Sequence, residues 1–177
     1  MRFLSADNVL RHKEFLKELK LKYSVLEKSY PEINDRTLSD IIRLHLGHNE
    51  TKEILDLSSK ILMHELYFNS FSEELCRSEA VRKYFGSEAN FLYEIEREIS
   101  SNEGQGFLLV FCDRKNQLSF KSLNDFSNIL LSSIPLLSID LYEHAYFLDY
   151  GFERKRYVKN ALSHLNLNKI NDFYKTY

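Results

Sequence analysis

The stretch Ile134-Pro135-Leu136-Leu137-Ser138-Ile139-Asp140-Leu141-Tyr142-Glu143-His144-Ala145-Tyr146-Phe147-Leu148-Asp149-Tyr150 opens as a short apolar run and closes in acids, aromatics and one histidine. An apolar run carrying a single Pro predicts a strand near a sheet edge, because Pro has no N–H to give to a ladder. Asp140 and His144 are two of the residue types that build an oxygen-plus-imidazole metal site.

The order of residues is more specific than their spacing. Asp140, Glu143-His144-Ala145-Tyr146 and Asp149-Tyr150 resemble the C-terminal signature of the iron/manganese superoxide dismutases, which runs Asp, any residue, Trp, Glu, His, Ala, Tyr, with an Asp or Gln and a Tyr shortly after. In that family this Asp and this His share the metal with two histidines on two N-terminal helices. The resemblance therefore implies two further histidines upstream.

Working back from the signature, two long stretches read as helices. From about Ser5 to Ser29, the residues Val9, His12, Leu16, Leu19, Tyr23 and Leu26 recur in steps of three and four, the seam of a helix packed on a partner. On that helix alone His12 reads as a core histidine satisfied by a hydrogen bond. Tyr30-Pro31 breaks the helix. A short helix follows from about Thr37 to Leu46, closed by Gly47, with His45 and His48 expected at the surface. A second long helix runs from about Glu50 to Phe71, where Ile54, Leu57, Ile61, His64, Phe68 and Phe71 repeat the stepping. Each long helix thus turns one histidine inward. Ser5, Asn8, Val9 and His12 are similar in spacing to the family's Ser-x-x-Thr-Leu-x-x-His pattern, and His64-Glu65-Leu66-Tyr67-Phe68 is similar to the segment after its second histidine.

Residues 72–101 carry more helical pattern, interrupted at Tyr84-Phe85-Gly86-Ser87. Gly106 to Cys112 predicts a buried strand, Gln117 to Leu123 its hairpin partner, and Leu131 to Ile139 a third strand. Glu153 to Leu165 predicts a final helix, followed by a polar segment. The fold class expected is α+β: an N-terminal antiparallel helical hairpin domain (residues 1–72) packed on a C-terminal α/β domain (residues 73–177) with a three-stranded antiparallel sheet.

Composition bounds the partners. With 177 residues, 44% hydrophobic and 28% charged residues and a formal net charge of −2, the chain has the profile of an ordinary soluble protein. The charge offers no bulk attraction to nucleic acid or to an acidic membrane surface. No apolar run approaches the roughly 20 residues of a membrane span. The N-terminus lacks a signal-peptide apolar core, and Cys76 and Cys112 read as buried free thiols of a reducing compartment. The expected location is the cytoplasm.

The resemblance implies one iron or manganese ion per subunit, held by His12, His64, Asp140 and His144, and an activity that disproportionates superoxide to dioxygen and hydrogen peroxide. It implies a homodimer in which Glu143 bonds to the His ligand of the partner subunit. It also marks departures. The position of the family's gate tyrosine is Lys20, expected to give a proton or attract the anion. The signature Trp is Tyr142, and the tyrosine after the last ligand is Phe147. Asn124 aligns with one of the family's solvent-holding amides, and Arg154 with an arginine that helps draw superoxide in. Such a rebuilt surround leaves an alternative: a superoxide-dismutase-like metal-binding protein with little dismutase activity, serving a different redox or a structural or interaction role.

Overall fold

The computed structural model describes residues 3–45, 48–73, 77–102, 104–124, 130 and 132–176. Gly47, Cys76 and Leu131 lie outside them. Helix α1 (Ala6–Leu26) starts where the Ser5 hydroxyl accepts from the Asn8 N–H at 3.2 Å, satisfying a donor the first turn would otherwise orphan. Two short 3-10 turns, Glu27–Ser29 and Pro31–Ile33, lead to helix α2 (Leu38–His45). Helix α3 (Lys52–Asn69) then returns antiparallel to α1. Leu19 of α1 packs on Leu57 and Ile61 of α3, the seam that the three-and-four stepping predicts.

Helices α4 (Glu79–Phe85) and α5 (Glu88–Ser101) are each capped by a serine, Ser78 and Ser87, and parted by Gly86 at φ +78°. Three antiparallel strands follow in the order β2-β1-β3: β1 (Phe107–Asp113), β2 (Leu118–Leu123) and β3 (Ser133–Asp140). Pro135 lies on an edge strand, as expected of a residue without an N–H, and the ladder shifts register between Val110 and Phe111. The central strand is covered on both faces. Leu108 and Val110 join the main core with Val81, Phe91, Ile95 and Tyr157, whereas Phe107 and Leu109 meet Ile42 and Met63 on the other side. Deleting a large side chain from so filled a core costs about 2–5 kcal/mol.

After β3 come a 3-10 turn (Glu143–Ala145), a short helix α6 (Phe147–Tyr150), α7 (Arg154–Ser163) and α8 (Asn168–Thr176). Two expectations are corrected here. The polar C-terminal segment is helical, because a narrow stripe suffices: Ile170 is fully buried and Tyr174 packs on the main core. His45 is buried rather than at the surface, its ring set edge-on to Tyr30 at 5.7 Å, while His48 is exposed. No helix among the described residues is long and apolar enough to cross a membrane.

Two long-range bonds align the halves that carry the site. The edge strand's Ser138 N–H donates to Ser70 Oγ at 2.7 Å, just past the end of α3. Asn8 of α1 donates through Nδ2 to Ala145 O at 2.8 Å. Both bonds are buried, so each replaces water that those backbone groups have lost.

Candidate metal centre

Each of the four donors comes from a different element. His12 sits midway along α1 and His64 in the second half of α3, both on the faces that look into the molecule. Asp140 is the last residue of β3. Its Oδ1 accepts from the Tyr142 N–H at 2.8 Å, and its backbone carbonyl accepts from the Tyr157 hydroxyl at 2.7 Å. One carboxylate oxygen is thereby committed to the backbone, which leaves Oδ2 facing the histidines. His144 stands on the 3-10 turn that Asn8 holds from α1.

The donor atoms of His12, His64, Asp140 and His144 all lie within 4.8 Å of one another. Around the single Asp140 Oδ2 stand His144 Nε2 at 3.0 Å, His12 Nε2 at 3.1 Å and His64 Nε2 at 3.4 Å. Ligands about 2.1 Å from a common cation stand roughly 3–4 Å apart, so the spacing fits one ion.

Hydrogen bonding supports the same reading. His64 Nδ1 lies 2.6 Å from Lys60 O. A carbonyl can only accept, so Nδ1 carries the proton and the neutral ring turns the lone pair of Nε2 inward. That lone pair faces His144 Nε2 at 3.2 Å and the carboxylate. Neither ring nitrogen of His12 has a hydrogen bond, although the ring is buried and its Nε2 lies close to Oδ2. Buried lone pairs aimed at a carboxylate repel one another unless a cation lies between them. The residues fit a metal ion. Imidazole nitrogens with one carboxylate suit iron or manganese.

Charge follows from the same geometry. Burial drives the His64 imidazole down to about 4, against the opposing pull of Asp140. Burial alone would raise the Asp140 carboxyl, but His12 and His144 facing it outweigh that and hold it at about 2. At neutral pH His64 is therefore neutral and Asp140 ionised, the forms that ligate.

Aromatic rings close the walls. Tyr67 and Phe68 each approach His12 with ring centroids 4.9 Å away, and Phe107 meets His64 at 5.2 Å. Tyr142 stacks on His144 at 5.6 Å with planes 14° apart. Phe15, which the sequence reading passed over, touches both His144 (4.7 Å) and His64 (5.4 Å). The signal was there: Phe15 follows His12 by three residues, which places both on one helix face.

The other expected site residues lie further out. Among the described contacts, none of Lys20, Asn124 and Arg154 bonds to the four donors. Lys20 Nζ is held by Glu65 Oε1 at 2.6 Å. Asn124 is exposed and lies against Gly104 and Gly106. The Arg154 guanidinium donates to Gly104 O at 3.0 Å and Asn102 O at 3.4 Å. Glu143 is exposed, and Phe147 packs on the exposed Phe152 at 5.4 Å.

Comparison with known proteins agrees with the geometry. Residues 74–173 match the family model described as iron/manganese superoxide dismutases, C-terminal domain. The chain is 30% identical over 137 residues to "Superoxide dismutase [Fe] 2, chloroplastic" of Oryza sativa subsp. japonica, covering 73% of this chain and 54% of that relative. It thus spans about half the length of the rice protein. It is 27% identical over 160 residues to "Superoxide dismutase [Fe]" of Plasmodium falciparum (85% and 77%), and 27% over 147 residues to "Superoxide dismutase [Mn/Fe]" of Rickettsia conorii (79% and 69%). The matched segment contains Asp140 and His144, the two donors of the C-terminal half, and the chain belongs to the iron/manganese superoxide dismutase family.

Proposed function

We propose that this chain is a superoxide dismutase, converting two superoxide anions and two protons to dioxygen and hydrogen peroxide at one iron or manganese ion held by His12, His64, Asp140 and His144. The observation that carries this reading is the convergence of four donors from four elements on one point. The ion, when bound, supplies reversible one-electron chemistry.

The rest of the work belongs to side chains. Asp140 contributes the only negative charge among the four, and its committed Oδ1 keeps Oδ2 from turning away. The bond from His64 Nδ1 to Lys60 O fixes that ring's tautomer and orientation. The bond from Asn8 to Ala145 holds the turn that carries His144. The His144 side chain is 33% exposed, whereas those of His12, His64 and Asp140 are at most 2%. Substrate, and the protons that peroxide requires, reach the cluster from the His144 side. The Tyr142 phenol on that side is raised by burial and by the Asp140 carboxylate, so it stays protonated at neutral pH.

Glu143, next to His144 in the chain, and Phe147, Leu148 and Phe152 shortly after it are all exposed. We assign them to a homodimer contact, with a solution mass of two chains as the expected outcome. A second reading is a chain that keeps the ion with little turnover. It is favoured by the Lys20–Glu65 pairing and by a Phe at position 147, which together leave two expected proton-bearing positions without a free donor. The deciding experiment measures metal content and superoxide consumption on the same preparation, with an Asp140→Asn variant as control. Full occupancy with dismutation lost in the variant supports the enzyme; full occupancy without dismutation supports the second reading.

A further inference from the structure

We propose that Phe15 is the gate of the metal centre in this chain, a hydrocarbon stopper on the one side from which the donors can be reached. The inference rests on the metal site proposed above and adds a residue that decides what enters and leaves it.

Three donors are sealed, and only the His144 side chain is open to solvent. Phe15 lies at that opening. Its ring contacts the exposed ligand at 4.7 Å and a sealed one, His64, at 5.4 Å, while the residue itself remains 36% exposed. One face of the ring therefore meets the cluster and another meets water. The backbone of α1 holds it in place, because His12, one helical turn earlier, is locked into the cluster.

The chemistry follows from what Phe15 lacks. It offers no proton and no charge. Further along the same helix, Lys20 is drawn to Glu65 on α3 at 2.6 Å. At the point of contact with His144, α1 thus presents a hydrocarbon ring. A ring there narrows the mouth for every anion, and most of all for larger or strongly hydrated ones. It also lowers the local dielectric around His64 and His144, which strengthens their hold on a cation.

The test reads ligand and metal exchange rather than turnover. Wild type, Phe15→Ala and Phe15→Tyr are loaded with manganese or iron, and metal content is measured first. Azide is then titrated by absorbance, and the rate of metal loss to EDTA is followed. Phe15→Ala is expected to bind azide more tightly and to lose metal roughly tenfold faster or more. Phe15→Tyr, which keeps the ring, is expected to match wild type in both. Equal azide affinity and loss rate in Phe15→Ala would overturn the gate while leaving the dismutase reading intact. A Phe15→Tyr variant as leaky as Phe15→Ala would also overturn it. Wild type that takes up neither manganese nor iron overturns both proposals.

Discussion

The inner ring of the site and its rim are built on different terms. His12, His64 and Asp140 are sealed in packed structure, and each is held by backbone or by a neighbouring ring. Lys20, Asn124, Arg154 and Phe147 are solvent-facing or half-exposed and take their partners from whatever lies beside them. A buried carboxylate ringed by imidazoles tolerates almost no substitution, because an unpaired charge left behind costs several kcal/mol. A half-exposed side chain meets no such constraint. The rim is therefore where a member of this family can change what its centre admits without losing the centre.

That contrast can be broken or sharpened by measurement. The largest effect is expected from His64→Ala, which should drop metal content and superoxide consumption by at least about 100-fold and make thermal stability insensitive to added manganese or iron. Retention of a full ion by this variant would show that the inner ring is not the site.

Next comes Gly106→Ala. Gly106 stands immediately before β1 at φ +142°, and a Cβ there would collide with Leu123 O and Asn124 Oδ1. Backbone strain and collision together should cost about 3 kcal/mol in a urea titration. The adjacent Phe107 packs on His64, so metal affinity should fall as well. Asn8→Ala should cost about 1–3 kcal/mol, because it leaves the buried Ala145 carbonyl unpaired beside His144. Metal loss to a chelator should quicken in parallel.

Glu88, at the start of α5, sharpens the comparison. Like Asp140 it is held at about 2, but mainly by the Arg82 guanidinium, which reaches both its oxygens at 2.9 and 3.0 Å. Its folded value is depressed, so its contribution is complete above the usual carboxylate value near 4.5 and fades as pH falls towards 2. Glu88→Gln should therefore destabilise by about 1 kcal/mol or less at pH 7, with the gap from wild type shrinking at pH 3. The smallest effect belongs to Lys20→Met. Loss of an exposed pair should change stability by about 0.5 kcal/mol or less. Any change in turnover should appear chiefly in its salt dependence.

Much of the inner ring was legible in the chain. The stepping that places His12 and His64 inward is a local property of each helix and survives folding unchanged. The strand that ends in Asp140 announced itself by an apolar run and a Pro that suits a sheet edge. The rim was not legible, because position along the chain does not say which neighbour a long side chain will meet. Lys20 was read towards the metal mouth and instead meets Glu65 across the hairpin. His45 was read as exposed, yet Tyr30 and the packing of α2 on α3 enclose it. The helix from Asn168 to Thr176 was missed because one fully buried residue, Ile170, with a partly buried Tyr174, makes too thin a stripe to register as periodic.

By itself the sequence set the helical phase that turns His12 and His64 inward, and its resemblance to the iron/manganese superoxide dismutases named those two with Asp140 and His144 as the four donors. Tertiary structure decided that they share one carboxylate oxygen, because that needs α1, α3 and β3 brought together by buried bonds from Asn8 and Ser138. It also set the Phe15 ring against His144 and His64 and drew the Lys20 ammonium to Glu65. A ring fixed by its helix stays where the backbone puts it, whereas a flexible cation goes to the nearest carboxylate.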